Sequence, residues 1–171
     1  MQRTIAEGDR IALTLRRLAW EMVEKTQDFA IIGIELRGVV LAKVLHAEIE
    51  RILAKPVPFG TLDITLERDD LHYREKLHMP RPFSLSFSVE GKVVWLVDDV
   101  IYTGRTARAA IEVLREYGRA ARIGLAVLVE RRGMREVPIS PDCRGFVLDT
   151  TPAERVIVSL HPQPVIQILA V

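Results

Sequence analysis

Asp98 and Asp99 stand side by side at the end of the apolar run Val93 to Val97, and Thr103, Gly104, Arg105 and Thr106 follow closely. Carboxylates bind Mg²⁺ through oxygen and accept hydrogen bonds from sugar hydroxyls. Threonine hydroxyls, an arginine fork and backbone N–H groups bared by a glycine bind phosphate. The two sets together suit a ligand that carries phosphate and also hydroxyls or Mg²⁺. No Ser/His/Asp or Cys/His arrangement accompanies them. His46, His72, His78 and His161 are scattered, and Cys143 is the only cysteine.

A continuous apolar run suits a strand buried on both faces, as in a parallel sheet covered by helices. Beyond the cluster, Ala107, Ala110, Ile111, Leu114 and Tyr117 recur at helical spacing, and Gly118 supplies a stop. The order is therefore strand, loop, helix. The acids lie at the carboxyl end of the strand, where open α/β sheets bind ligands. Thr103 to Thr106 lie at the helix start, where free N–H groups and the helix dipole favour phosphate. The plain alternative is an ordinary turn capped by the two acids.

The remaining elements frame this centre. Asp9 is placed to cap a first helix running to about Thr26, with Ile11, Leu15, Leu18 and Met22 on its apolar face. Trp20 stands among that helix's charged residues and suits a core edge or a subunit interface. Phe29 to Ile34 reads as a strand leading into a loop with Leu36, Arg37 and Gly38, then a helix to about Ala54 with Leu41, Leu45, Ile49 and Ile52 as its apolar stripe. Arg37 can offer a fork to pyrophosphate, or pair with Glu35 on the surface. Val57 to Ile64 reads as a strand. Leu66 to Pro82 is charged and weakly periodic, as expected of a lid carrying Arg68, or of a solvated excursion. Phe83 to Val89 alternates as a half-exposed strand does. Ile123 to Val129 is another buried strand, and Glu130 to Glu136 is a locally basic loop, either a solvated face or a small anion or RNA patch. From Val137 to Val171 only short strand-like pieces occur, which in an α/β protein must return to the sheet or build a small cap over its active edge.

At 171 residues the chain fits one domain with a sizeable core. A net charge of +1 confines any nucleic-acid site to a local patch. One cysteine excludes an internal disulfide and a cysteine zinc cluster. Without a signal-peptide core or a membrane-length apolar run, the expected location is the cytoplasm.

The stretch from Val93 to Thr106 resembles the phosphoribosyl-pyrophosphate (PRPP) motif of the type I phosphoribosyltransferases. The stretches Arg17 to Met22, Gly33 to Gly38, Leu62 to Leu71, Ala126 to Val129 and Arg132 to Ile139 extend the likeness to the PyrR family. Its members are bifunctional pyrimidine-operon attenuators and uracil phosphoribosyltransferases. The resemblance implies an α/β type I phosphoribosyltransferase fold over 1–171: a mostly parallel central sheet flanked by helices, a small hood largely from about 137–171, and a flexible hairpin lid. It implies uracil plus PRPP giving UMP and pyrophosphate, with Mg²⁺ carried mainly by PRPP at Asp98 and Asp99. Arg37 would join the acids in catalysis. Leu36, Gly38, Arg68, Thr103, Gly104, Arg105 and Thr106 would bind PRPP and its phosphates. Val147 and Leu148 would meet the base. Arg16, Arg17 and Arg135 would offer phosphate contacts to RNA. A homodimer or homotetramer is expected.

The chain also departs from that pattern. Leu36 stands where the family usually has Thr, and Glu67 where it has Tyr. Gly145 to Thr150 replaces a Gly-Lys-Asn-x-Pro-Thr segment, and Arg16 and Trp20 replace a Thr and a His of the RNA surface. Three functions follow: a pyrimidine phosphoribosyltransferase, an mRNA-binding attenuator, or a nucleotide-responsive interaction protein that binds nucleotide or PRPP without efficient turnover.

Overall fold

A computed structural model describes residues 2–34, 37–64 and 85–170. In chain order the elements are β1 (Gln2–Glu7), α1 (Asp9–Lys25), β2 (Ala30–Ile34), α2 (Arg37–Leu53), β3 (Phe59–Leu62), β4 (Val93–Ile101), α3 (Arg105–Leu114), β5 (Arg122–Arg132), β6 (Cys143–Asp149), β7 (Glu154–Ser159) and β8 (Val165–Ala170). Five strands form a wholly parallel sheet in the order β3-β2-β4-β5-β6. A second, antiparallel sheet has the order β1-β8-β7.

The apolar run of β4 is explained by burial on both faces. Trp95 and Val97 join Ile31, Ala126 and Leu128 against α1, α2 and the small sheet. Val94 and Leu96 join Ile32, Leu125 and Val127 against α3. A strand's period of two sends alternate residues to opposite cores, so a strand covered on both sides has no polar face. The small sheet contributes Ala6, Val156, Ile166 and Ile168 to the first of these cores.

The α/β layering, the parallel sheet and the helix faces match expectation. Ile11, Leu15, Leu18 and Met22 are buried on α1, and Leu41, Leu45 and Ile49 on α2. Helix α2 ends beside Ala54 in a left-handed conformation at φ 50°, and Pro56 follows.

Other expectations are corrected. Asp9 is the first helical residue rather than the cap; Gly8 holds that position at φ 50°, without a side-chain cap. A short polar side chain before an apolar helix does not say which of two neighbours leaves the helical conformation. Leu85 to Val89 form no strand, although Leu85 and Val89 are buried against the α3 core. Alternation reports burial, and burial can be met without a ladder. Trp20 is 47% exposed, so it does not pack a core edge. The small sheet also takes β1 from the amino-terminal end, whereas β6 joins the central sheet. Residues 66–82, expected as the lid with Arg68, lie outside the described residues, as does Leu36. Among the described residues no helix is long and apolar enough to cross a membrane.

Strand order sets the position of the site. From β2 the chain moves outward to β3; from β4 it moves the other way, to β5 and β6. The crevice between the carboxyl ends of β2 and β4 is therefore a topological switch point, where such sheets bind ligands.

Within the core, Trp95 pairs in register with Gly124, and a Cβ at Gly124 would lie 2.7 Å from the indole. Gly124→Ala should therefore cost roughly 1–3 kcal/mol, the usual cost of overpacking a filled core. Urea unfolding should show a lower midpoint, and an unchanged midpoint would contradict this packing.

Candidate functional site

Two glycines bring α2 close onto the central sheet. A Cβ at Gly33 would lie 2.8 Å from the Val39 Cα and 2.9 Å from the Ala42 Cβ. At Gly38 it would lie 2.5 Å from the Val97 carbonyl oxygen and 3.0 Å from the Asp98 Cα. Gly33, on β2, lets α2 lie close on that strand, and Gly38 lets the start of α2 rest against the end of β4. This close approach sets Arg37 beside the acids.

The adjacent acids serve different sides of β4. Asp98 lines a cavity of about 320 Å³ together with Tyr102, Thr103, Gly104, Arg105 and Thr106. Asp99 lines a smaller cavity with Arg37, Val40, Val158 and Leu160, the last two from β7 and just beyond it. Each carboxylate accepts a hydrogen bond from the next backbone amide. The Asp99 N–H donates to Asp98 Oδ1 at 2.8 Å, and the Val100 N–H to Asp99 Oδ1 at 2.9 Å.

Asp99 is 9% exposed, and among the described residues its buried Oδ2 has no hydrogen-bond partner. Burial pushes its carboxyl above the ordinary range, against the pull of Asp98, Arg37 and the local amide bonds. A buried, unpartnered carboxylate oxygen is costly unless a ligand completes it.

The donor set suits Mg²⁺ shared with a ligand. Among the described residues no group of three or more His, Cys, Asp or Glu could hold a metal alone. Mg²⁺ is commonly held by one or two carboxylates with water and substrate phosphates. Asp98, Asp99 and the unpartnered Oδ2 fit that pattern.

The phosphate loop has the local form its sequence demands. Gly104 sits at φ 90°, left-handed, immediately before α3 begins at Arg105. The Arg105 N–H donates to Thr103 Oγ1 at 3.3 Å. Glu136 also lines this cavity, and its carboxylate is 2.6 Å from Arg105 Nε.

The remaining expected residues are dispersed. Val147 and Leu148 lie near the carboxyl end of β6 and line neither of these two cavities. Arg16 faces Glu48 at 3.5 Å. Arg17 donates to the Arg144 and Gly145 carbonyls at 2.8 and 3.0 Å, tying α1 to β6, and also meets Glu21. Arg135 is turned inward, to the Tyr102 carbonyl at 2.6 Å and the Glu130 carboxylate at 2.9 Å.

Sequence reasoning did not place Tyr102, or the basic segment after β5, against the phosphate loop. The Arg131 guanidinium lies 3.8 Å from the Tyr102 ring centroid. It also donates to Thr150 Oγ1 and to the Thr151 and Glu154 carbonyls. One signal was available: adjacent parallel strands end at the same edge, so the loop after Val129 had to arrive beside the acids.

Comparison with known proteins agrees with this architecture. The chain matches the phosphoribosyl transferase domain family over residues 1–163. It is 43% identical over 163 residues to the bifunctional protein PyrR of Roseiflexus sp. (strain RS-1), covering 94% of this chain and 88% of that one. It is 47% identical over 160 residues to PyrR of Microcystis aeruginosa (strain NIES-843 / IAM M-2473), covering 92% and 89%. Among solved structures, the hypoxanthine phosphoribosyltransferase of Trypanosoma cruzi superposes with TM-score 0.70 at 18% identity, covering 91% of this chain and 85% of that one. The purine phosphoribosyltransferase of Pyrococcus horikoshii Ot3 does so with TM-score 0.59 at 23% identity, covering 82% and 83%. At such identities the structures establish the fold, whereas the sequence relatives establish the family. The chain belongs to the PyrR family of bifunctional proteins, built on the phosphoribosyl transferase domain.

Proposed function

We propose that this protein transfers the phosphoribosyl group of PRPP to a pyrimidine base, with uracil giving UMP and pyrophosphate. The observation that carries the proposal is the pairing, at one switch point, of a buried and incompletely satisfied carboxylate with a glycine-initiated phosphate loop. The 5′-phosphate would rest on Thr103 to Thr106, where the start of α3 offers N–H groups and hydroxyls. Arg37 would face the pyrophosphate, joined by the backbone at Leu36 and Gly38 and by Arg68. Val147 and Leu148 stand at the same sheet edge as the acids, and base contact is assigned to them.

In this mechanism a base nitrogen bonds to the anomeric carbon and gives up its proton to solvent, as the pyrophosphate oxygen leaves with its electron pair. Positive charge develops on the ribose. Asp98 and Asp99 would stabilise it from fixed positions and hold the hydroxyls, while Arg37 neutralises the leaving group. Such catalysis is positioning plus electrostatics and needs no nucleophilic side chain. Mg²⁺, held mainly by PRPP oxygens with Asp98 and Asp99, would neutralise the pyrophosphate charge.

A second reading has its own support. Leu13 and Trp20 are 64% and 47% exposed on α1, close in sequence to Arg16 and Arg17. Such a face suits a regulator that senses nucleotide at the same pocket, by binding leader RNA or another partner. A salt-sensitive gel shift with a pyrimidine leader RNA, lost in Arg16→Ala, would support it.

Pyrophosphate release from PRPP, measured with uracil and then with other bases, tests the catalytic proposal. PRPP or nucleotide binding without turnover on any base would overturn it in favour of the regulator. Asp99→Asn should lower turnover by roughly 100-fold or more, the scale of one lost preorganised electrostatic contact. An unchanged rate would remove Asp99 from the mechanism. Gly38→Ala should also lose about 100-fold, because displacing the start of α2 by ~1 Å misplaces Arg37 against the acids. Intact turnover in that variant would show that the approach of α2 to β4 is not needed.

The same buried acid has a consequence for stability. Its folded pKa is raised. The folded state therefore keeps the proton over a window in which the unfolded chain has lost it. Stability from this group is present below the unfolded value near ~3.9 and declines as pH rises through the raised value. Asp99→Asn removes that decline. Without ligand, the variant should melt at the same or a higher temperature than wild type at neutral pH, and a clearly lower midpoint would contradict the assignment.

A further inference from the structure

The basic segment after β5 lies against the phosphate loop. Arg135 Nη1 donates to the Tyr102 carbonyl at 2.6 Å. The backbone N–H groups of Glu136 and Val137 both donate to the Thr103 carbonyl, at 2.9 and 3.1 Å. Two consecutive carbonyls are thus held by residues 135–137. In a trans peptide the N–H points opposite to the C=O. Holding the Tyr102 carbonyl turns the Thr103 N–H away from the segment, and holding the Thr103 carbonyl does the same for the Gly104 N–H. Among the described residues neither N–H has an acceptor. Both belong to residues that line the cavity beside Asp98.

Arg135 is itself held. Its Nη2 meets Glu130 Oε1 at 2.9 Å, and Arg144 Nη1 meets the other oxygen, Glu130 Oε2, at 2.6 Å. Glu130 is 6% exposed. A buried carboxylate between two guanidinium groups is well compensated and has little freedom to move. The Arg135 stem also packs on the loop, with its Cδ 3.3 Å from where a Gly104 Cβ would be. A side chain at 104 would press on the same group that orients the loop.

We propose that Arg135 is a positioning residue for the phosphate loop, and that Glu130, clasped by Arg144, sets it. Arg135 turns the Thr103 and Gly104 N–H groups toward an incoming 5′-phosphate while itself contacting only the backbone behind them. This proposal rests on the reading that Thr103 to Thr106 bind a phosphate. It removes Arg135 from the RNA contacts expected of the sequence, because the guanidinium is committed inward.

The test is calorimetric binding of PRPP, UMP and uridine to the full chain, with KM for PRPP and kcat measured alongside. Arg135→Ala should weaken PRPP and UMP by about tenfold, the scale of a lost charge-assisted hydrogen bond, and leave uridine unchanged. KM for PRPP should rise more than kcat falls. Arg135→Lys retains the charge but puts a compact ammonium in place of the planar fork, which cannot span the Tyr102 carbonyl and Glu130 together, so it should stay close to Arg135→Ala. Full recovery in the Lys variant would mean that bulk charge, not loop orientation, matters, and would overturn the proposal. UMP affinity unchanged in Arg135→Ala would also overturn it. Glu130→Gln, which keeps the shape and removes the clasping charge, should lose phosphate affinity in the same sense; unchanged affinity would exclude its role. Wild type that binds UMP without turning over PRPP would sink the catalytic reading alone, since the binding arms decide this one. Wild type that binds neither UMP nor PRPP would overturn both.

Discussion

The site depends on how closely α2 approaches β4. With no side chain at Gly38, the first turn of α2 rests on the backbone at Val97 and Asp98, while Gly33 lets the same helix lie close on β2. Any Cβ there would meet backbone or packed atoms, which cannot swing aside as the far end of a flexible side chain can. The contact joins two requirements of the chemistry. It sets Arg37 beside Asp99, and it holds the carboxyl ends of β2 and β4 together at the switch point.

Around that contact the protein accepts a local cost. Asp99 is buried, raised in pKa, and among the described residues lacks a partner at Oδ2. Such a group persists only where the surroundings over-determine it. Here β4 lies between two apolar cores, and its neighbours β2 and β5 run parallel on either side. The strand cannot turn its acid to solvent without exposing Trp95 or Val97 from the same face. Unmet bonding capacity is thereby kept in place for a ligand.

The phosphate loop is supported differently. Its own residues supply turn chemistry, with Gly104 left-handed and α3 starting immediately after it. Its orientation comes from outside, through the carbonyl contacts of residues 135–137 and the buried charges behind them. Arg131 adds a third tie, from the Tyr102 ring to the loop between β6 and β7, so the small sheet and the phosphate loop share one arginine.

By itself the sequence determined what is local and periodic. The apolar run, the paired acids and the Thr-Gly-Arg-Thr cluster specify a strand, a loop and a helix start, because burial on two faces, carboxylate chemistry and a left-handed turn each need particular residue types in order. The helix faces of α1 and α2 were legible for the same reason. Only the tertiary structure decided which distant groups meet. Asp98 and Asp99 are neighbours in the chain, yet they line different cavities because a strand alternates its sides. Arg135 has the composition of a surface cation, yet it is drawn inward by a buried glutamate five residues earlier in the chain and by a carbonyl on another strand's loop. Phe83 to Val89 carries a strand's alternation, but from Leu85 onward its described part gains burial without a ladder. Residue type sets what a side chain can do; the packing of the whole chain sets the partner with which it does it.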